Sequence, residues 1–165
     1  MLTYVLSDIS VAIQFFLIAK SRLRKKFNLN FILINKQKTE LEEFLLANKI
    51  PTYSFYYSNF LSYFFVFIKV LFLLFKLKPK IVHCHLRQAT LIGLFSSYIL
   101  GVKKRVFTRH HGTENHSAKI KGLYFDYITC LLATNIITIS ECTTNMIKYE
   151  YSNSTNKITK IFHGF

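Results

Sequence analysis

The chain has 165 residues, 51% hydrophobic and 18% charged. That balance excludes a disordered segment and suits one domain with a sizeable core. Lys and Arg number 22 against eight Asp and Glu, a net charge of +14, which points to an acidic partner: nucleic acid, an anionic membrane surface, or an acidic ligand such as a sugar nucleotide.

A nucleic-acid partner is not expected, because the 17 Phe and 10 Tyr gather in apolar runs instead of interleaving with a basic stripe. The densest basic knot, Lys20, Arg22, Arg24, Lys25 and Lys26, reads as a solvated helix face. Cys84, Cys130 and Cys142 are odd in number and far apart. They form no disulfide framework and suit reduced thiols in the cytoplasm. Met1 to Ile18 carries Asp8 and lacks a basic start, so no signal peptide is expected.

In chain order, Leu2–Leu6 reads as a strand ending at Ser7-Asp8, and Ile9–Phe27 as one helix. Leu29–Ile34 is a continuously apolar strand, as suits a strand covered on both faces. Thr39 and Glu42 have the spacing of a capping box for a helix ending near Asn48, a residue tolerant of the left-handed conformation. Pro51–Tyr56 is the next strand. The run Phe60–Phe75 then reads as a buried or membrane-facing helix. It contains Lys69 and falls short of the ~20 residues that span a bilayer. Lys76, Lys78 and Lys80 suit its negative end. After it come strand Lys80–His85, helix Gln88–Leu100, Gly101, strand Arg105–Arg109, helix Lys121–Ala133, strand Ile136–Ile139, helix Ser140–Tyr149 and strand Lys157–Phe162. Such alternation predicts an α/β fold: a Rossmann-like parallel sheet with helices on both faces, one domain over residues 1–165.

The last four strands end in His85, in His110-His111-Gly112, in Ser140-Glu141 and in His163-Gly164. In a parallel sheet those ends share one edge, where ligands bind. All six histidines and all five glycines follow residue 82, so the site is expected in the second half. Thr108-Arg-His-His-Gly-Thr-Glu-Asn115 is its sharpest motif: histidines bond hydroxyls or phosphate oxygens, and Gly112 admits a close backbone. Asp8 and Glu114 are the acids expected near the site. Ser140 caps a helix start, a position that also suits a phosphate. His83 and Cys84 project to opposite faces of their strand, which speaks against a zinc site, and no metal is expected. His83 reads as a hydrogen-bonded core residue, with His85 nearer the edge. No cofactor is expected either, since Gly-x-Gly-x-x-Gly, Walker and Gly-x-Ser-x-Gly motifs are all absent.

Lys78-Pro-Lys-Ile-Val-His-Cys-His, Gly101-Val-Lys-Lys-Arg-Val-Phe-Thr-Arg-His-His-Gly, Ile136-Ile-Thr-Ile-Ser-Glu and Lys160-Ile-Phe-His-Gly-Phe, in this order, resemble the amino-terminal domain of family 4 glycosyltransferases. The resemblance is stronger from Lys78 onward than before it. It implies half of a GT-B fold, in which two Rossmann-like domains face across a cleft, and a retaining hexosyltransferase activity. It implies that this half shapes the acceptor side. By position, His110 or His111 matches the family's cleft histidine; His85, Gly112, Glu114 and Asn115 fall around the sugar or acceptor. Ser7, Asp8, Ser140, Glu141, His163 and Gly164 fall on phosphate- or cleft-facing positions.

The family's glycine-rich first loop is not matched by Ser7-Asp8-Ile9. Its carboxy-terminal donor-binding domain, with its paired glutamates, is absent from the sequence. The implied partners are a nucleotide-sugar donor, held mostly by that other domain, and a glycan or lipid-linked acceptor. The chain alone is expected to be inactive, cytoplasmic, and open to peripheral attachment at the inner face of the membrane. The alternatives are a non-catalytic binding subunit, a gene remnant, or a basic membrane-surface adaptor.

Overall fold

A computed structural model describes residues 1–7, 12–110 and 119–162. Its elements are β1 (Leu2–Leu6), α1 (Ala12–Lys20), α2 (Leu23–Lys26), β2 (Leu29–Asn35), α3 (Glu40–Ala47), β3 (Thr52–Tyr56), α4 (Phe60–Leu77), β4 (Ile81–His85), α5 (Arg87–Ile99), β5 (Lys104–Arg109), α6 (Lys119–Leu132), β6 (Asn135–Thr138), α7 (Glu141–Glu150), a 3-10 turn (Ser152–Lys157) and β7 (Ile158–Lys160). The strands form a parallel seven-stranded sheet in the order β3-β2-β1-β4-β5-β6-β7. The strand order reverses between β1 and β4, where Leu6 lies beside His85. This is the α/β class that the alternation of strands and helices predicts.

Right-handed crossovers send α1 and α3 to one face of the sheet and the later helices to the other. On the first face Tyr4, Leu6, Phe31 and Leu33 pack against Phe15 of α1 and Leu41 and Leu45 of α3. On the second, Val5, Ile32, Val82, Cys84 and Ile136 meet Val66, Val70 and Leu74 of α4, Ile92 of α5 and Ile147 of α7. Both faces of β1 and β2 are therefore covered, which is why these strands are apolar on both faces, interrupted only by the buried Thr3, Asn30 and Asn35. Gly93 brings α5 close: a Cβ there would stand 2.5 Å from Cys84 Sγ and 3.1 Å from Val5 Cβ.

Several local expectations are corrected. The segment read as one helix over Ile9–Phe27 breaks at Ser21, whose hydroxyl donates to the Ile18 carbonyl and accepts from the Leu23 amide. Thr39 does cap α3, accepting from the Glu42 amide at 3.4 Å. Glu42 does not complete the box; both its oxygens lie 2.7 Å from the Tyr56 hydroxyl. A long-range hydroxyl donor thus wins over the local backbone amide. The left-handed residue after α3 is Lys49, at φ 54°, while Asn48 stays at φ −89° and its amide donates to the Phe44 carbonyl. The last strand is shorter than expected, running only over Ile158–Lys160: Lys157 ends a 3-10 turn, and the strand stops before Ile161. The long apolar helix α4 lies on the sheet as the crossover between β3 and β4, with Val66, Val70 and Leu74 inward.

Candidate functional site at the carboxyl edge of the sheet

Parallel pairing in register puts the ends of β1, β4 and β5 side by side. His83 and His85, two apart on β4, face the α1 side together, with ring centroids 4.2 Å apart. Tyr4 of β1 tilts over both, and Phe15 of α1 meets His85 edge-on at 4.8 Å. Behind them Phe31 stacks on Tyr4 at 5.3 Å. A wall of aromatic rings thus holds the imidazoles in fixed orientation.

His85 is fully enclosed, whereas His83 keeps some exposure, so the order of burial expected for the two is reversed. The reason is α1: Phe15 covers the carboxyl end of β4, where an open edge is expected from the strand alone. His85 Nδ1 lies 3.1 Å from His110 Nε2, just past β5. Such a contact needs one N–H and one lone pair, so the pair shares a proton between its facing nitrogens. His83 Nε2 lies 2.9 Å from the Thr108 hydroxyl. Burial, and secondarily the neighbouring His110, lowers the His83 pKa from 6.5 to about 3, so His83 is neutral at physiological pH. Among the described residues no three His, Cys, Asp or Glu side chains converge as metal ligands.

Leu86 follows His85 at φ 65°, ψ 156°, a conformation that side chains avoid. Strain of this kind gathers where the backbone is held for a purpose. It turns the chain directly into α5, whose first amides have no side-chain cap. On the other side of the strand-order reversal lies a cleft of about 430 Å³, lined by Ser7, Ile34, Asn35, Lys36, Gln37, Thr39, Tyr57 and Gln88. Ser7 is 3% exposed, and its hydroxyl has no hydrogen-bond partner among the described residues. Tyr63 fixes the entrance, donating to the Gln88 carbonyl at 2.8 Å and meeting Tyr57 edge-on. Hydroxyls, amides and one ammonium make this a lining suited to sugar hydroxyls or phosphate oxygens.

The structure therefore brings Ser7, His85 and His110 to one edge. Ser140 caps α7, accepting from the Thr143 amide at 3.2 Å, and Thr143 returns the bond to the Ser140 amide. Glu141 is bound to Lys160 of β7, and that ammonium holds its carboxyl below the usual range. Asp8, His111, Gly112, Glu114, Asn115, His163 and Gly164 lie outside the described residues. Asn35, Lys36, Tyr57 and Gln88 were not expected at the site: no local motif marks them, and they meet only because β2 and β3 pair beside β1. Asp126, the buried α6 acid paired with Arg109 at the end of β5, next to His110, was not expected either. Asp126 stands 17 positions beyond Arg109, and no local motif marks it.

No family model matches the chain, and no curated protein matches it. Solved structures do. Anabaena HepE in complex with UDP aligns with a TM-score of 0.74 at 14% identity, over 100% of this chain and 44% of HepE. UDP-GlcNAc 2-epimerase from Methanocaldococcus jannaschii aligns at 0.71 and 15%, over 97% of this chain and 45% of the epimerase. A glycosyltransferase from Rickettsia africae aligns at 0.68 and 18%, over 99% and 42%. The chain has the fold of one half of GT-B enzymes. It spans less than half the length of each of these structures, and at such identities the likeness establishes the fold alone.

Proposed function

We propose that this chain is the acceptor-side half of an enzyme that moves a sugar from a nucleotide-sugar donor to a glycan or lipid-linked acceptor, of the retaining hexosyltransferase type. The observation that carries the reading is the contact between the enclosed His85 and the half-buried His110 beside the strand-order reversal, where ligands of open α/β sheets bind. Support comes from the strained Leu86, the uncapped start of α5 and the polar cleft around Ser7. His110, with His111, Glu114 and Asn115, would bond sugar or acceptor hydroxyls. Gly112 would let the backbone approach. Ser7 and Asp8 would face the donor phosphates, and Ser140, Glu141, His163 and Gly164 would line the cleft. The nucleotide would be held mostly by a second domain, whose charges would stabilise the leaving diphosphate.

The imidazoles suit this role because they are polar groups held rigid among rings. A hydroxyl placed against His110 would meet a donor or acceptor already oriented through His85, with little reorganisation. The test is an NMR titration of the chain with UDP-glucose and UDP-GlcNAc, following the histidine ring signals. The signals of His85 and His110 should shift together, and His110→Ala should abolish the response at His85. Unmoved histidine signals at millimolar sugar nucleotide would sink the assignment.

A second reading is favoured by the UDP-GlcNAc 2-epimerases among the structural neighbours, whose TM-scores of 0.71 and 0.72 fall within the 0.68–0.74 spanned by HepE and the Rickettsia glycosyltransferase. An epimerase inverts one carbon of the sugar and returns it as its nucleotide. Release of UDP only when acceptor is present marks transfer. Conversion of the intact sugar nucleotide marks epimerisation.

A further inference from the structure

The outer face of α4 has no role in the carboxyl-edge site and is unlike the surface of a soluble sheet-packed helix. Its inner positions Val66, Val70 and Leu74 already meet the sheet. Leu61, Phe64, Phe65, Ile68, Phe72 and Phe75 recur every three or four residues on the opposite side, each between 44 and 63% exposed. A one-sided helix would carry polar residues there. The only charges in α4 are Lys69 and Lys76. Seven residues apart, they share one flank of the stripe, and the Lys76 ammonium sits 4.5 Å from the Phe72 ring. Phe95 and Ile99 of the neighbouring α5 extend the exposed apolar surface, with Phe95 touching Phe67 of α4.

At its C-terminal end the stripe runs into a hollow of about 710 Å³ at the amino edge of the sheet, away from the histidines. Phe75 belongs to both. The hollow has apolar walls, and Lys78, Lys80, Lys103 and Lys104 rim it with no carboxylate among the lining residues. An apolar stripe that ends in a lysine-rimmed apolar hollow matches acyl chains beneath phosphate headgroups. A second copy of the chain fits poorly, because it would press lysines against lysines on a molecule of net charge +14.

We propose that α4 lies in the interface of an anionic bilayer. Its Leu61–Phe75 face enters the acyl region, and the Lys78–Lys80–Lys103–Lys104 hollow receives a lipid phosphate headgroup. The helix lies along the surface and does not cross it, since its other side belongs to the core. The inference is independent of the sugar-nucleotide reading.

The test is co-sedimentation of the full chain with phosphatidylcholine vesicles, with and without phosphatidylglycerol. Anionic vesicles should bind at least about 100-fold more tightly, and Lys80→Gln/Lys103→Gln/Lys104→Gln should weaken that binding about 100-fold. Phe65→Gln/Ile68→Gln/Phe72→Gln should weaken binding to the same vesicles at least about tenfold. All these positions are exposed, and circular dichroism checks that the variants fold. Removing three charges elsewhere, by Arg22→Gln/Arg24→Gln/Lys26→Gln, should change binding by no more than about twofold, because those charges lie off the docking face. Equal binding to neutral vesicles, or an equal loss in the Arg22 control, overturns the proposal. So does a vesicle-free dimer abolished by the stripe variant, or equally tight binding of soluble glycerol phosphate.

Discussion

His83 illustrates how a residue's chemistry is decided by what covers it. Facing Tyr4 and His85 and bonded to Thr108, it is held neutral, with its pKa lowered from 6.5 to about 3. The unfolded chain therefore takes up this proton first as the pH falls. The contribution of His83 to stability is complete above pH 6.5 and declines from there towards pH 3. Thermal unfolding of the native chain should lose stability across that window, and His83→Gln should flatten the loss. Parallel curves for the two proteins would mean that His83 is solvated in the folded state. On the opposite face of the strand, burial beneath α5 raises the pKa of the Cys84 thiol and keeps it protonated. Strand alternation makes the divergence of His83 and Cys84 legible in sequence. The enclosure of His85 is not, because it depends on Phe15 arriving from another element.

At the scale of elements, α5 carries the tightest constraint. It begins at the strained Leu86 and seats Gly93 against β1 and β4. Alanine is the better helix former by about 1 kcal/mol, so Gly93→Ala would stabilise a helix with space around it. Here the added methyl meets Cys84 Sγ and Val5 Cβ, and we expect a net loss of about 1–3 kcal/mol in urea unfolding. Gly93→Ala placed in a Cys84→Ala background should cost less, because the nearest obstructing atom is gone. No difference between the two backgrounds would mean that α5 rides higher on the sheet. The break at Ser21 and the diversion of Glu42 to Tyr56 belong to the same scale. In both, a side chain found a partner that helical periodicity does not weigh.

For the whole molecule, the sheet order sets the functional geometry. The reversal between β1 and β4 places the Ser7–Gln88 cleft on one side and the His85–His110 pair on the other. The chain covers 44% of HepE and 45% of the archaeal epimerase. On the half-enzyme reading proposed above, the groups that stabilise a departing diphosphate lie mostly on a second domain. Purified residues 1–165, supplied with UDP-glucose and candidate glycan acceptors, should therefore release no UDP above the uncatalysed rate. Sustained turnover would place the donor chemistry within this chain and overturn the half-enzyme reading.

Hydrophobic periodicity and helix-capping chemistry are local properties, and they carried the succession of strands and helices, the Thr39 and Ser140 caps and the parallel α/β class. Strand-end chemistry likewise marked His85 and His110 as candidates in the sequence, and the family resemblance marked Ser7. Burial and proximity belong to pairs of distant segments, so they waited on the packed fold. Only there do Ser7, Asn35 and Gln88 share one cleft, Arg109 find Asp126, and His85 become more enclosed than His83. The α4 helix states the division most simply. Its composition made it apolar on every side, but only the sheet beneath it decided which side is core and which remains open.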